Sequence, residues 1–333
     1  MTSISIVGGG WRTEVWLRVL KILKSEYEIK TVYCRNQEKA AKITAEYGVN
    51  ARIDYTEIFI EKPDVALICV SKDSNVEISR EIASYNINVL CETPYNSFDA
   101  TKDKNIRVAE QYVMQSRFVV LKKIIDSGIL GEIQSVELSC CHDYHAISVM
   151  RNLLCAGEVF PDEIKTVSLN DSYTETKYRY GDIQKELRNH NRCMAFLKYG
   201  QKTGIYDFSE GQYFSSIRRH RYAIYGENGQ IIDGKGLYLN DDGKEIIINI
   251  ESHHNGTNGS LFPLSLKNIT INGEICYENP YGYARLSEEE IAMAECLKSA
   301  VIYFQIGSGG YSPRDAKIDF ITSENIKKEM KAL

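Results

Sequence analysis

The sequence predicts an α/β protein in two parts: an N-terminal doubly wound parallel sheet, then an α+β domain with an open, mostly antiparallel sheet. The first supporting observation is a buried strand that runs directly into a glycine turn and a helix within residues 2–24. The second is the alternation of apolar strands with helices up to residue 94, which is typical of a parallel sheet covered on both faces. The third is a series of short strands separated by Gly- or Asp-rich turns between residues 193 and 250, which indicates antiparallel pairing.

The glycine turn is the first candidate binding element. The predicted strand 2–7 leads into Gly8-Gly9-Gly10-Trp11-Arg12-Thr13, and apolar spacing predicts a helix over 14–24. This context suits a dinucleotide pyrophosphate, because glycines allow close backbone approach and the helix N-terminus offers N–H groups. The pattern G-x-G-x-x-G/A is matched by Gly8 and Gly10, whereas Thr13 stands where Gly or Ala is usual. The turn predicts a cofactor site, and an ordinary strand-to-helix turn is the alternative. The candidate cofactor residues here are Gly8, Gly10, Trp11 and Arg12.

The end of the second predicted strand bears on the choice of cofactor. Strand 29–34 ends at Arg35-Asn36, where an acidic residue would bind the adenosine ribose and select NAD. An arginine at this place can accept the 2′-phosphate of NADP, so the sequence favours NADP over NAD, with a solvated charge as the alternative for Arg35. Ser71 opens the loop after the strand 64–70, at the sheet edge where such folds bind ligands, and is a further cofactor candidate.

Composition narrows the class of protein. With 333 residues, 43% hydrophobic and 26% charged, the chain can form two soluble globular domains. A net charge of -5 gives no reason to expect nucleic acid as a partner, and no apolar run is long enough to span a membrane. The strand-like N-terminus argues against a signal peptide. Nine irregularly spaced cysteines fit neither a disulfide framework nor a zinc site, which indicates reduced thiols in a cytoplasmic protein and no metal.

Several motifs along the chain resemble the Gfo/Idh/MocA oxidoreductase family. They are Lys62-Pro63-Asp64-Val65, Val89-Leu90-Cys91-Glu92-Thr93-Pro94, Gly128-Ile129-Leu130-Gly131-Glu132-Ile133 and Tyr311-Ser312-Pro313-Arg314-Asp315-Ala316-Lys317-Ile318-Asp319. The resemblance implies a dinucleotide-binding Rossmann domain at 1–115. It also implies a substrate and oligomerisation domain at 116–333, whose final helices pack back on the first. It further implies hydride transfer between a nicotinamide and a sugar, cyclitol or related small compound, and a homodimer or homotetramer formed through the C-terminal sheet.

The two catalytic motifs of that family are altered in this sequence. Where the family has a lysine before proline, this chain has Thr93, and where an acid stands four residues before the histidine, it has Cys141. Only His145 matches. The resemblance therefore implies that His145 is the acid/base, that Thr93 only hydrogen-bonds the substrate, and that Glu92 lies near the nicotinamide ribose. His142, Asp143 or Tyr144 can assist proton transfer, since histidine titrates near neutral pH.

Three functional hypotheses follow from these departures. The first is a NAD(P)-dependent oxidoreductase. The second is an enzyme that keeps NAD(P) tightly bound and catalyses epimerisation, elimination or glycoside cleavage without net oxidation. The third is a catalytically lapsed ligand-binding relative, because the lysine and the acid are lost together.

Other polar groups have structural interpretations beside functional ones. For Cys141, burial is favoured over a role as nucleophile, because no orienting third group can be identified. His253-His254 is predicted to be a polar loop rather than a metal site. The basic cluster Arg218-Arg219-His220-Arg221 is predicted to be a solvated strand edge, with a phosphate or carboxylate contact as the alternative. Arg151 is predicted to form a salt bridge.

Overall fold

The computed structural model describes residues 1–178, 181–218 and 220–332, which form two compact units. The first unit contains Met1–Gln115, His254–Leu266 and Asn279–Lys317, and the second contains Ser116–His253, Lys267–Glu278 and the chain from Ile318 onwards. The helices are α1 (Trp11–Ile22), α2 (Gln37–Tyr47), α3 (Ile58–Glu61), α4 (Asn75–Ser84), α5 (Ser116–Asp126), α6 (Asp143–Leu154), α7 (Glu288–Ile306) and α8 (Pro313–Ala332).

The strands belong to two sheets. A six-stranded sheet contains β1 (Thr2–Val7), β2 (Tyr27–Tyr33), β3 (Ala51–Arg52), β4 (Val65–Ile68), β5 (Asn88–Glu92) and β6 (Ile106–Ala109). A ten-stranded sheet contains β7 (Ile133–Ser139), β8 (Glu163–Tyr178), β9 (Gly181–Tyr199), β10 (Lys202–Ser209), β11 (Arg221–Gly226), β12 (Gly229–Ile232), β13 (Lys235–Leu239), β14 (Glu245–Asn255), β15 (Ser265–Ile271) and β16 (Glu274–Glu278).

The six-stranded sheet confirms the predicted doubly wound fold. Its order is β3-β2-β1-β4-β5-β6, and every pair is parallel. This order reverses between β1 and β4, which places a ligand-binding crevice at the carboxyl ends of those two strands. Strands β1, β4 and β5 are almost entirely buried because helices cover both faces of a parallel sheet, and β4 is a continuous apolar run.

The predicted boundaries of α1 need a correction. The helix begins at Trp11 and ends at Ile22, rather than spanning 14–24, because Gly10 takes the N-cap position in an extended conformation (φ −97°, ψ −178°). Helix α7 of the same unit begins with a capping box. The hydroxyl of Ser287 accepts the N–H of Glu290, and the Glu290 carboxylate accepts the N–H of Ser287, which satisfies two otherwise unpaired helix-end donors. Helix α7 packs against α1, β5 and β6 within the first unit.

The ten-stranded sheet confirms the predicted open, mostly antiparallel sheet. Its order is β16-β15-β14-β13-β12-β11-β7-β10-β9-β8, and β7 with β10 is a parallel pair within it. Helix α6 packs on β7 and β10. At Gly204 in β10 a Cβ atom would lie 2.0 Å from the sulfur of Met150, so the missing side chain lets the helix approach the sheet.

Strand β9 is longer than the sequence predicts. The prediction covered 193–199, whereas the strand begins at Gly181. Its first half is mostly polar and pairs along its length with β8, so the apolar alternation that reveals a strand is absent there. Strand β8 and helix α8 were not predicted.

Candidate functional site

In the first unit, the glycine turn lies at the point where the strand order reverses. Gly8 has φ +141°, and a Cβ at this position would lie 2.3 Å from the carbonyl oxygen of Cys69. Only glycine permits this close approach. The backbone is fixed on both sides, because the Gly8 N–H donates to the Tyr33 carbonyl at 2.8 Å and the Cys69 N–H donates to that of Val7 at 2.7 Å.

Gly10 faces open space in front of helix α1. A Cβ at this position would meet no atom within 4 Å, and no side chain caps the helix. Thr13 is fully buried, so its side chain packs in the interior and does not narrow the open space in front of helix α1. Trp11 is 43% exposed, and the Arg12 guanidinium carbon lies 4.5 Å from its ring centroid. The residues present therefore fit a dinucleotide pyrophosphate at the helix N-terminus.

Glu92 and Arg12 meet at the carboxyl end of β5. Glu92 is buried, and its carboxylate accepts the Trp16 indole N–H at 2.6 Å and lies 3.4 Å from Nε of Arg12. Arg12 also donates to Glu289 at 2.9 Å. Burial alone would lower the pKa of Arg12, but the Glu92 and Glu289 carboxylates raise it above its ordinary value. The two predicted cofactor residues thus form an ion pair with each other. Trp16 was counted only as an apolar helix position, and Glu289 was not considered.

The loops around this sheet edge contain the other predicted residues. Asn75 donates to the carbonyls of Glu92, at 3.3 Å, and of Pro94, which holds the segment containing Thr93. The Ser71 carbonyl accepts the N–H groups of Ser74 and Asn75 at the start of α4. Ser71 is exposed at this edge.

A second cation accompanies Arg35 beyond the end of β2. Arg35 is exposed, and the side chain of Lys39 lies 3.6 Å from the Cβ position of Gly9 in the glycine turn. Within the described residues neither cation forms an ion pair with a carboxylate. Lys39 was missed because its contact with the turn depends on how α2 packs.

In the second unit, the first turn of α6 brings four predicted residues together. His145 is 5% exposed, and its ring lies 4.4 Å from that of Tyr144 and 5.5 Å from that of His142. Nδ1 of His142 lies 3.3 Å from Oδ2 of Asp143, and Nζ of Lys327 in α8 lies 3.0 Å from the same oxygen.

Two tyrosines, Tyr206 of β10 and Tyr213 of the short 3₁₀ helix that follows it, fix the backbone of this turn. The Tyr213 hydroxyl accepts the N–H of His142, and the Tyr206 hydroxyl accepts the N–H of Asp143, both at 3.2 Å. Asp143 has φ +50°, a left-handed conformation that aspartate tolerates better than most residues. Lys327 was not predicted, because it lies far along the chain in α8, beyond the end of the motif at 311–319.

The surroundings of Asp143 and Tyr206 shift the pKa values of these two groups. Burial alone would raise the pKa of Asp143, but the hydrogen bond from His142 and the charge of Lys327 lower it below its ordinary value. Burial and the nearby Asp143 raise the pKa of Tyr206 well above its ordinary value, so this phenol stays protonated. For His220, burial and the charges of Arg117 and Lys177 lower the pKa.

The remaining candidates have mainly structural surroundings. Cys141 is fully buried, as predicted, and Arg151 forms the predicted salt bridge, a 2.7 Å pair with Asp319. His253 lies in β14 rather than in a loop, which corrects the prediction, and contacts the Thr270 hydroxyl at 2.9 Å. The basic cluster is partly paired, through Arg218 with Asp171 and Arg221 with Asp207, while Arg219 lies outside the described residues. In the described part of the chain no group of three or more His, Cys, Asp or Glu residues is arranged to hold a metal ion.

Comparison with known proteins gives a family match and similar folds. Residues 2–114 match the GFO_IDH_MocA family model, an oxidoreductase family with an NAD-binding Rossmann fold. No curated protein sequence matches the chain. Within the residues described, no helix is long and apolar enough to cross a membrane.

Solved structures resemble almost the whole chain. An oxidoreductase from Agrobacterium radiobacter, in complex with NAD+, L-tartaric acid and magnesium, is 14% identical, with a TM-score of 0.64 and coverage of 99% of this chain and 96% of its own. An oxidoreductase from Sinorhizobium meliloti is 14% identical, with a TM-score of 0.65 and coverage of 99% and 97%. Levoglucosan dehydrogenase in complex with NADH is 13% identical, with a TM-score of 0.65 and coverage of 99% and 97%. At these identities the likeness shows a shared fold.

Proposed function

Because the chain belongs to the Gfo/Idh/MocA oxidoreductase family, whose model its N-terminal Rossmann domain matches, we propose that it is a NAD(P)-dependent oxidoreductase. Its substrate is a sugar, a cyclitol or a related small hydroxy or carbonyl compound. The observation that carries the proposal is the open space at Gly10, in front of an uncapped twelve-residue helix at the switch point of the sheet. Such a helix end stabilises a pyrophosphate through its N–H groups and partial positive charge.

Candidate residues for the cofactor and for proton exchange lie in different units, and we assign their roles unit by unit. In the first unit the glycine turn, Trp11 and Arg12 bind the cofactor, while Ser71 and Glu92 border it at the sheet edge. The nicotinamide, when bound, accepts or returns a hydride. In the second unit the histidines at the start of α6 exchange the proton of the substrate hydroxyl. Thr93 offers a hydroxyl for a substrate hydrogen bond, since threonine cannot act as a base at neutral pH.

The substrate class is supported by the surroundings of the histidines. The rings of Tyr144, Phe208 and Tyr213 lie 5.6 to 6.3 Å from that of His142, so apolar faces and polar groups alternate there. A polyhydroxylated compound presents the same mixture of C–H faces and hydroxyls. Two proteins of similar fold carry L-tartaric acid as a ligand or levoglucosan in their name. We also place the protein in the cytoplasm, since its nine cysteines are free thiols.

A ligand-binding relative without catalysis is the second candidate. Full burial of Cys141 favours it, because a buried thiol cannot replace the family's acid in proton exchange. An enzyme that keeps its NAD(P) and catalyses no net oxidation is the third. Both are distinguished from the first candidate by experiment.

The test combines calorimetry with a substrate screen. Titration with NAD+, NADH, NADP+ and NADPH measures cofactor binding, and denaturation of the purified protein reveals any cofactor carried along. Reduction of the cofactor is then followed with D-glucose, myo-inositol, levoglucosan and L-tartrate. Binding with turnover supports the oxidoreductase, and a cofactor that never exchanges supports the enzyme without net redox. Absence of binding at millimolar concentrations contradicts the proposal.

The two cations beyond β2 give a prediction about cofactor choice. The double variant Arg35→Ala/Lys39→Ala should bind NADP at least about tenfold more weakly, since each cation can form a charge-assisted contact with the 2′-phosphate. Binding of NAD, which lacks that phosphate, should stay within about twofold, because no 2′-phosphate contact is lost. The matched control is Lys42→Ala on the same helix, whose lysine pairs with Glu14 instead. Equal loss of both cofactors would exclude a role in discrimination.

The face of the ten-stranded sheet that carries exposed apolar side chains supports a homo-oligomer. Phe196 of β9 is 45% exposed and pairs in register with Ile205 and Lys165 on the neighbouring strands. On the strands farther along, Leu237 and its cross-strand neighbour Ile247 are 40% and 71% exposed. Large contiguous apolar patches mark association surfaces, so we propose a homodimer or homotetramer formed through this sheet.

Replacement of Phe196 tests the association surface. In Phe196→Glu a charge replaces an aromatic side chain that would be desolvated between subunits, so the protein should become monomeric at micromolar concentration. Analytical ultracentrifugation measures the mass. Leu261→Glu removes a fully exposed apolar side chain outside the sheet and should leave the mass unchanged. An unchanged mass in Phe196→Glu would place the interface elsewhere.

A further inference from the structure

We propose that His142, rather than the motif residue His145, exchanges the substrate proton, with Asp143 and Lys327 as its positioning residues. The inference deepens the proposed function and rests on it. Three side chains meet here, although α6 and α8 are far apart in sequence. They are His142 at the N-cap of α6, Asp143 at its first position, and Lys327 of α8. The ammonium of Lys327 lies 3.0 Å from the Asp143 carboxylate oxygen that also faces His142.

The two histidines differ in access. His145 is 5% exposed, and its backbone carbonyl accepts the hydroxyl of Ser148 within α6. The side chain of His142 is 40% exposed. A general base must come within hydrogen-bond reach of the hydroxyl that it deprotonates, so the accessible imidazole is the better placed of the two.

The contact with Asp143 determines which nitrogen of His142 can act. Nδ1 lies 3.3 Å from Oδ2 of Asp143, which in its ionised form accepts hydrogen bonds but donates none. The neutral imidazole therefore carries its proton on Nδ1, and the lone pair of Nε2 points away from the carboxylate. A carboxylate that orients a histidine in this way is the arrangement found in hydrolytic triads.

Lys327 keeps the carboxylate in the state that this arrangement needs. Its Nζ lies 3.0 Å from the oxygen that also faces His142, and the lysine contacts Glu324 at 3.2 Å in its own helix. The backbone N–H of Asp143 donates to Tyr206, which fixes the turn from the sheet side. Asp143 is thus ionised, and its position is fixed by a helix and a strand.

The proton step balances with the hydride step. In the direction of oxidation, a bound oxidised nicotinamide would accept the substrate hydrogen on carbon as a hydride, with both electrons of the C–H bond. The O–H bond breaks, its proton goes to Nε2 of His142, and its electron pair forms the second bond of the carbonyl. The imidazolium formed is stabilised by the Asp143 carboxylate and returns the proton to water.

The first experiment measures the tautomer without any cofactor. In long-range ¹H–¹⁵N spectra of the ¹⁵N-labelled full chain, His142 should show the Nδ1–H tautomer, and Asp143→Asn should abolish that preference. Assignment comes from the loss of its signals in His142→Ala. An Nε2–H tautomer in the unmodified protein overturns the inference, whatever the activity.

The second experiment uses turnover with whichever of the four screened compounds reduces the cofactor. His142→Ala should lower kcat by about 10²-fold or more, and added imidazole should restore part of it. His145→Ala should show no rescue by imidazole, because its site is closed to solvent. Asp143→Asn and Lys327→Met should lower kcat more than they raise KM, and Lys327→Arg should restore most of the loss. Lys328→Met, on the exposed side of the same helix, is the matched control.

The outcomes separate this inference from the proposed function. If cofactor binding and turnover persist in His142→Ala and turnover is lost in His145→Ala, the inference is wrong. The oxidoreductase proposal is then unaffected. Failure of all four cofactor forms to bind overturns the proposed function and this inference with it. A kcat loss in Asp143→Asn with the tautomer unchanged overturns the positioning role.

Discussion

The variant Gly10→Asp should fold at least as well as the unmodified protein and bind neither NAD nor NADP. Aspartate is among the best N-cap residues, and the φ of −97° at this position is accessible to any side chain. The helix should gain roughly a few tenths of a kcal/mol relative to glycine. The same side chain fills the space that is free within 4 Å of Gly10 and places a negative charge where the pyrophosphate would lie. Calorimetry should show at least about a 100-fold loss of affinity for each cofactor.

Two further variants show whether the loss of binding in Gly10→Asp comes from the added charge and volume or from damage to the fold. Gly10→Ser caps the helix without a charge and should keep most of the affinity. Gly8→Ala introduces a Cβ 2.3 Å from the Cys69 carbonyl, so it should lower the thermal midpoint and weaken binding only as a consequence of that strain. If Gly10→Asp binds either cofactor as tightly as the unmodified protein, the pyrophosphate does not lie at this helix end.

The contrast between these glycines shows what the sequence could predict. Gly8 and Gly10 were recognised because a predicted strand runs directly into the glycine turn and apolar side chains at helical spacing follow at once. Local pattern was sufficient, since strand, turn and helix are neighbours in the chain. Local pattern could not show that a Cβ at Gly8 would collide with the carbonyl of Cys69, the residue after β4, whereas Gly10 faces open space.

The groups that complete both candidate sites could not be predicted for the same physical reason. Glu92 receives the indole N–H of Trp16 across 76 residues of sequence, and Asp143 meets Lys327 from the last helix. Helix α8 contains few apolar residues, and the motif at 311–319 ends before Lys327, so the contact of Lys327 with Asp143 is decided by tertiary packing. Sequence pattern identified the first turn of α6, but it could not choose between His142 and His145, because exposure depends on the surrounding sheet.

Removal of the Arg151 charge should destabilise the second unit strongly. Arg151 in α6 and Asp319 in α8 are 4% and 2% exposed in their side chains and form a 2.7 Å ion pair. Arg151 also donates to the Gly157 carbonyl at 2.5 Å. In Arg151→Met the buried carboxylate of Asp319 loses its ion pair with the guanidinium, which should cost about 3 to 5 kcal/mol of unfolding free energy. Urea denaturation followed by circular dichroism measures the change in midpoint.

A double variant shows why Arg151→Met loses stability: either the attraction between the two charges is lost, or the Asp319 carboxylate that remains is buried. If the stranded carboxylate is the cause, Arg151→Met/Asp319→Leu should recover most of the stability, because an apolar pair of similar volume needs no compensating charge. The pair Lys122–Asp126 in α5, whose carboxylate side chain is 57% exposed, is the matched control, and Lys122→Met should give no measurable shift. A double variant as unstable as Arg151→Met would show that the ion pair itself holds α6 against α8. Because α6 carries His142 and α8 carries Lys327, the same pair would then also fix the distance between the proposed proton acceptor and the lysine behind it.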